Sequence, residues 1–314
     1  TSNVGVFGAV KNGRIFDFTV NSSVYTGQTN TTYSINAKDY VGTVIGSIDG
    51  GQIFNTHAVL GGSINASQYV GGVMGIYRSG PVGNISSTRA GGVAVAAAKV
   101  IGSSSYVGGV SGYFSNASLK TVSSSLDVIG GSNNVGGVAG YAQGTGWFDF
   151  SSSRGVAYVA PGTMSDVHST ALNVIGNNGY IGGLFGYASV GPGAANWSST
   201  ASVNGGSGAY VGGIAGKVDA SDLANIYSTG SLVTQTGGNY SGGLFGFMSA
   251  ISLTNASAVA DVMGGSSYVG GLAGHAFGTI SNVFATGDLT APSGYLGGLF
   301  GQASSGSVTN AYAT

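Results

Sequence analysis

The 314-residue chain has no cysteine and no glutamate, only four prolines, and nineteen charged side chains, of which nine are basic and ten are aspartate. Without cysteine there is no disulfide, no thiolate metal ligand and no cysteine nucleophile. Four prolines among 61 glycines exclude a collagen helix, which needs glycine at every third position and abundant proline. Nine scattered basic residues and a net charge of −1 exclude nucleic-acid binding, because no patch can neutralise phosphates. The longest apolar run, Val93 to Ala98, is too short to cross a bilayer, so membrane insertion is not expected. The chain opens Thr1-Ser2 without Met, as it would after removal of a leader. What is present is a 42% hydrophobic composition rich in Val, Ile, Thr, Tyr and Phe, which sets the chain apart from disorder and favours strands.

Periodicity dominates the rest. Tyr69-Val70-Gly71-Gly72-Val73-Met74-Gly75 recurs from Tyr106, Asn134, Tyr180, Tyr210, Tyr240, Tyr268 and Tyr295, with a weaker copy at Tyr40 and a degenerate one at Asn3. The spacing is about 28 residues, lengthened by insertions near 88–104 and 144–170. Between these anchors lies a second segment, Thr279-Ile280-Ser281-Asn282-Val283-Phe284-Ala285-Thr286, matched by Asp222 to Thr229 and Ser307 to Thr314. Asp17 and Asp166 occupy its Asn position in two other units.

Together the two segments resemble the GLUG-motif repeat: Gly270-Gly271-Leu272-Ala273-Gly274, then Thr279 to Gly287, then Gly297-Gly298-Leu299-Phe300-Gly301. Such repeats occur in bacterial surface and adhesin-like proteins and beside the catalytic domain of IgA-specific metallopeptidases. The resemblance implies an extracellular β-solenoid and names no activity.

Physical argument leads to the same architecture. A short unit of strands that cannot bury its own apolar side must stack on its neighbours. The expectation is therefore all-β: a single-chain β-solenoid (β-helix) of about ten coils spanning 1–314 as one array. Equivalent positions then form ladders, one of tyrosines (Tyr69, Tyr106, Tyr180, Tyr210, Tyr240, Tyr268, Tyr295) and one of asparagines (Asn84, Asn196, Asn225, Asn255, Asn282, Asn310). The paired glycines suit a tight corner or a close backbone approach. Phe185, Ala215, Phe245, Ala273 and Phe300 alternate large and small, as interdigitating core side chains do.

Candidate chemistry is sparse. His57, His168 and His275 are the only histidines, and no metal-ligand spacing includes them, so neither a metal nor a cofactor is expected. His57 and His168 fall two residues after the Asn column and should face outward. Asp219 and Asp222, beside Lys217, read as a solvated turn rather than a catalytic pair. No catalytic residues are assigned, and an enzyme is not expected. Sequons at Asn21, Asn30, Asn65, Asn116 and Asn239 lie in expected loops and are candidate glycosylation sites. Val4, Val6 and Phe7 at one end, and Ala311, Tyr312 and Ala313 at the other, carry complementary phases of the repeat and are the candidate assembly ends. The expected function is structural: a secreted or cell-surface protein whose partner is itself, polymerising head to tail into a filament. The alternative is an adhesin stalk or glycan-binding repeat domain, with surface glycans met by the insertions that hold Arg89, Trp147, Arg154 and Tyr158. A polysaccharide-active β-helix, or ice binding by the row Thr88, Thr170, Thr200, Thr229, Thr286 and Thr314, is the weaker expectation.

Overall fold

The computed structural model describes residues 2–21, 23–26, 29–32, 34–90, 98–144, 163–208, 210–234 and 236–314. The elements described are strands. Among the described residues they form three parallel sheets of ten, thirteen and nine strands, with a separate two-stranded hairpin. The chain visits the three sheets in turn. Tyr210–Gly212 lies in the first, Ala215–Ser228 in the second and Leu232–Thr234 in the third. Tyr240–Gly242 then begins the next circuit, pairing in parallel with Tyr210–Gly212. The arrangement is all-β and parallel, consistent with a β-solenoid.

Register is strict because the sequence columns coincide with the rungs. Tyr180 faces Tyr210, Gly182 faces Gly212, and Phe185, Ala215, Phe245, Ala273 and Phe300 are consecutive partners. Phe185 therefore lies between Ala139 and Ala215, and Phe245 between Ala215 and Ala273, which leaves each ring room in the interior; neither has exposed surface. Trp197, also fully buried, meets the edge of Phe185 at 5.0 Å and donates from Nε1 to the Met164 carbonyl at 2.8 Å. The third sheet turns one β-branched column inward, Val100, Val128, Val174, Val203, Val233 and Val262, each essentially inaccessible. Such side chains suit a pleated surface buried on that face.

The second glycine of each pair has a partner that the sequence did not disclose. A β-carbon on Gly183 would run into Ser199 Oγ and the Gly213 carbonyl. On Gly243 it would stand 2.6 Å from Ala258 Cβ, and on Gly271 2.7 Å from Ala285 Cβ. These residues belong to one buried column three after the Asn position: Ser87, Ser124, Ser169, Ser199, Ser228, Ala258 and Ala285. Glycine on one wall and a small residue on the other let the first and second sheets close on each other. Several of the serines also accept from the backbone N–H two residues on, as Ser124 does from Leu126 and Ser199 from Ala201, both at 3.2 Å.

The insertions are narrower than the sequence indicated. Thr88 and Arg89 belong to the long strand Met74–Arg89, Lys99–Gly102 is a strand of the third sheet, and Met164–Ser169 is regular second sheet. Hydrophobic-to-polar alternation continues into those flanks, so they pair like any other rung. Residues 91–97 and 145–162 lie outside the described residues, and with them Trp147, Arg154 and Tyr158. An interruption that the spacing did not single out is the antiparallel hairpin Ser23–Thr26 with Thr29–Thr32.

Gly183→Ala should lower unfolding stability by about 3 kcal/mol, since the added methyl meets backbone that cannot move aside. Gly237, with open space around it, should accept Ala within about 0.5 kcal/mol. Urea denaturation of the two variants checks the contrast.

Candidate functional site

The features with chemical content are the side-chain columns on the outer surface. The asparagine column stands where the second-sheet strands bend. Asp17, Asn55, Asn84, Thr121, Asp166, Asn196, Asn225, Asn255, Asn282 and Asn310 all have φ between 47° and 59°. This is left-handed backbone, in which Asn and Asp are several-fold enriched over other non-glycine residues. The amides bond in one direction: Nδ2 of the later unit donates to Oδ1 of the earlier one. The distances are 2.8 Å for Asn55 to Asp17, 2.7 Å for Asn84 to Asn55, 2.9 Å for Asn196 to Asp166 and 3.0 Å for Asn225 to Asn196. Asn255, Asn282 and Asn310 continue at 3.3, 3.3 and 3.1 Å. Both runs begin on an aspartate, which is chemically apt: the first member only receives, and an ionised carboxylate has no hydrogen to donate. Thr121 separates the two runs, opposite Asn84 by register.

Tyrosines line the first sheet. Tyr40, Tyr69 and Tyr106 stack at 4.9 Å between centroids, and Tyr180, Tyr210, Tyr240, Tyr268 and Tyr295 at 4.9 to 5.2 Å. Ring faces are thereby covered by neighbouring rings and the edges meet solvent. Burial, then the neighbouring phenols, raise the hydroxyl pKa of Tyr69 and of Tyr210 above the ordinary value. Beside this row runs a second column that sequence reading missed: Tyr113, Tyr141, Tyr187, Lys217, Phe247 and His275. Tyr113 stacks on Tyr141 at 4.7 Å and Tyr141 on Tyr187 at 5.0 Å. The signal was available, since each of these residues lies five after the first glycine of its pair.

Asp219 and Asp222 are strand residues of Ala215–Ser228, not a turn, because the small and apolar residues around them keep the rung pairing intact. They serve different partners. Asp219 Oδ2 receives the Tyr187 hydroxyl at 2.6 Å and lies 3.2 Å from Lys217 Nζ, which sits between the Tyr187 and Phe247 rings at 5.5 and 5.4 Å from their centroids. Asp222 accepts from Ser252 Oγ at 2.8 Å. Burial, then the bond to Asp219, raises the Tyr187 pKa. Another tyrosine that the sequence did not single out, Tyr77, is fully buried and donates to the Gly51 carbonyl at 2.8 Å; burial raises its pKa strongly.

The histidines occupy two environments. His57 and His168 are half-buried on the outer face, each with Nδ1 2.8 Å from a serine hydroxyl of the next rung, Ser86 and Ser198 respectively. His275 is 8% exposed among Tyr240, Phe247, Tyr268 and Phe277, with Nε2 3.0 Å from Ser304 Oγ. Burial lowers its pKa. Among the described residues no group of three His, Asp or Glu side chains converges on one point.

The sequons depart from the loop placement. Asn21, Asn65 and Asn116 lie within strands, because they fall at outward or left-handed rung positions rather than beyond the rungs. Asn65 is moreover engaged, donating to Asn36 Oδ1 at 3.0 Å. Asn30 is in the hairpin and Asn239 in the bend before Tyr240–Gly242. Thr170, Thr200 and Thr229 are exposed, whereas Tyr227 and Tyr312 project from the column beside them and break the flatness that ice contact requires. At the end positions, Val4 pairs with Val41, Val6 is 57% exposed, and Phe7 packs on Phe18 at 5.3 Å. Ala311 rests on the core, Ala313 is exposed, and Tyr312 stacks on Phe284 at 5.3 Å. An open depression of about 440 Å³ is lined by Asn36, Lys38, Asn65, Ser67 and Ser103.

Two measurements test these columns. Asn225→Ala should cost about 2 kcal/mol, and Asn225→Gly about half as much, because glycine keeps the left-handed backbone and forfeits only the amide bonds. His275 carries a pKa below that of the unfolded chain, so the unfolded state takes up the proton first. Stability should be full above about pH 7 and decline as pH falls through the ordinary imidazole value toward the lowered one. His275→Gln, the residue that Gln302 supplies in the next rung, should flatten that part of the pH profile.

No curated protein and no solved structure matches the chain. Residues 265–290 match the family model of the GLUG motif. That span holds one paired-glycine anchor and the Asn282 segment, the two elements whose other copies build the columns described above. The chain thus carries a GLUG motif at residues 265–290, inside a repeat whose other copies share its two segments.

Proposed function

We propose that this protein is a structural, non-enzymatic element of the extracellular space: a solenoid of about ten coils, each of about 28 residues, forming a rod on the order of 50 Å long. It would be secreted or displayed at the cell surface and associate head to tail with copies of itself by adding strands to the outermost rungs. The observation that carries this reading is the self-complementarity of the unit. Identical residues pair from rung to rung, Tyr210 with Tyr240 and Gly212 with Gly242, so the lower face of one unit is a template for the upper face of another. Val6 and Phe7 on one face, and Leu296, Val308 and Tyr312 on the other, present apolar surface for such stacking. At the joint Asp17 would start a new amide run, as Asp166 does within the chain.

A second reading, a glycan-binding or adhesin-stalk domain, draws on the depression around Lys38, whose amides and hydroxyls suit sugar hydroxyl groups. Negative-stain electron microscopy of the dilute, untagged chain separates the two. Unbranched fibres one solenoid wide are expected. Discrete rods of about 50 Å would remove the head-to-tail reading and turn attention to glycan arrays.

A further inference from the structure

The outer tyrosine column is interrupted where Asn134 replaces the ring, yet aromatic contact does not lapse there. Tyr106 meets Tyr113 edge-on at 5.3 Å, Tyr113 stacks on Tyr141 at 4.7 Å, and Tyr141 on Tyr187 at 5.0 Å. Tyr187 then lies 5.8 Å from Tyr180, where the outer column resumes. The second column thus bridges the gap, and from Tyr40 to Tyr295 no step between ring centroids exceeds 5.8 Å.

At the point of resumption stands the one tyrosine of the row that, among the described residues, is hydrogen-bonded to a carboxylate: Tyr187, 2.6 Å from Asp219 Oδ2. A phenol that loses an electron becomes a strong acid, so its oxidation is easiest where a base already holds the hydroxyl hydrogen. Asp219 is such a base. Lys217 Nζ, 5.5 Å from the Tyr187 centroid, opposes a positive charge left on the ring and so favours a product that has shed its proton. The same ammonium, 3.2 Å from Asp219 Oδ2, holds the carboxylate in place and moderates its basicity. Rings of one chemical kind in contact exchange an electron vacancy with little change in energy. The vacancy should therefore travel until it reaches the ring where proton loss traps it.

We propose that the tyrosine row conducts oxidising equivalents and that Tyr187 is where they come to rest. A one-electron oxidant, of the ferryl-haem or photo-oxidised metal-complex class, removes an electron from a ring of the row. The vacancy passes from ring to ring. At Tyr187 the O–H bond breaks, its proton goes to Asp219, and a neutral phenoxyl radical remains; the oxidant is reduced by one electron. The inference concerns the outer surface of the array and is independent of whether copies join end to end.

The test is flash photolysis of the full chain with a ruthenium tris-bipyridyl complex and a sacrificial acceptor, followed by freeze-quench electron paramagnetic resonance and peptide mapping of oxidised tyrosines. Wild type should give a phenoxyl signal with oxidation concentrated at Tyr187. Asp219→Asn keeps an acceptor oxygen for the hydroxyl but is no base, so it should lose most of that signal and its solvent deuterium isotope effect while circular dichroism is unchanged. Tyr187→Phe should scatter oxidation over the exposed Tyr295 and Tyr312. Oxidation that follows exposure alone in wild type, or a Tyr187 radical indifferent to Asp219→Asn in a folded chain, would overturn the proposal.

Discussion

The structure depends on a closeness of approach that permits no β-carbon on one wall. Between the paired-glycine strands and the column of buried serines and alanines, the interior narrows until Gly183 meets Ser199 and Gly243 meets Ala258. Everything wider, the Phe–Ala alternation and the inward valines of the third sheet, fills the space on either side of this pinch. Its effect is to fix the cross-section. A sheet pair held at such close range cannot slide by one residue without driving Val or Leu side chains into backbone, so register follows from sterics and hydrogen bonds together.

The left-handed corners are the second constraint. Ten units place a residue near φ 50° at the same bend, and nine of those positions are Asn or Asp, with Thr121 the exception that breaks the ladder. Backbone preference and side-chain bonding therefore select the same residue types. Glycine would satisfy the first requirement and forfeit the second.

Much of this was legible in the sequence. Copies of a paired-glycine segment and an Asn segment in fixed order imply strands, stacking and columns, since equivalent residues in a stack have nowhere else to go. What could not be read were pairings between different columns. Nothing in the spacing says that the glycine at 183 faces the serine at 199, because contact across the interior depends on how sharply the chain bends between them. The bridge of Tyr113, Tyr141 and Tyr187 past Asn134 escaped notice for the same reason: each ring looks unremarkable in its own unit and acquires meaning only beside the missing one. Asp219 and Asp222 read as a turn from their polarity, whereas rung pairing with Phe185–Val190 and Phe245–Ala258 holds them in a strand. The hairpin at 23–32 lies between a degenerate first copy and a weak second one, where periodicity is hardest to measure.

The one-way asparagine ladder gives the array an electrical direction. Each amide carries its N–H toward earlier units and its C=O toward later ones, so the side-chain dipoles of a run add along its axis much as peptide dipoles do in a helix. The positive pole of each run lies at its N-terminal end. Asp17 and Asp166 stand at those two poles, anions placed where a helix would also favour them. Two such arrays lying side by side are consequently not equivalent in parallel and antiparallel arrangement, although their outlines would be nearly the same.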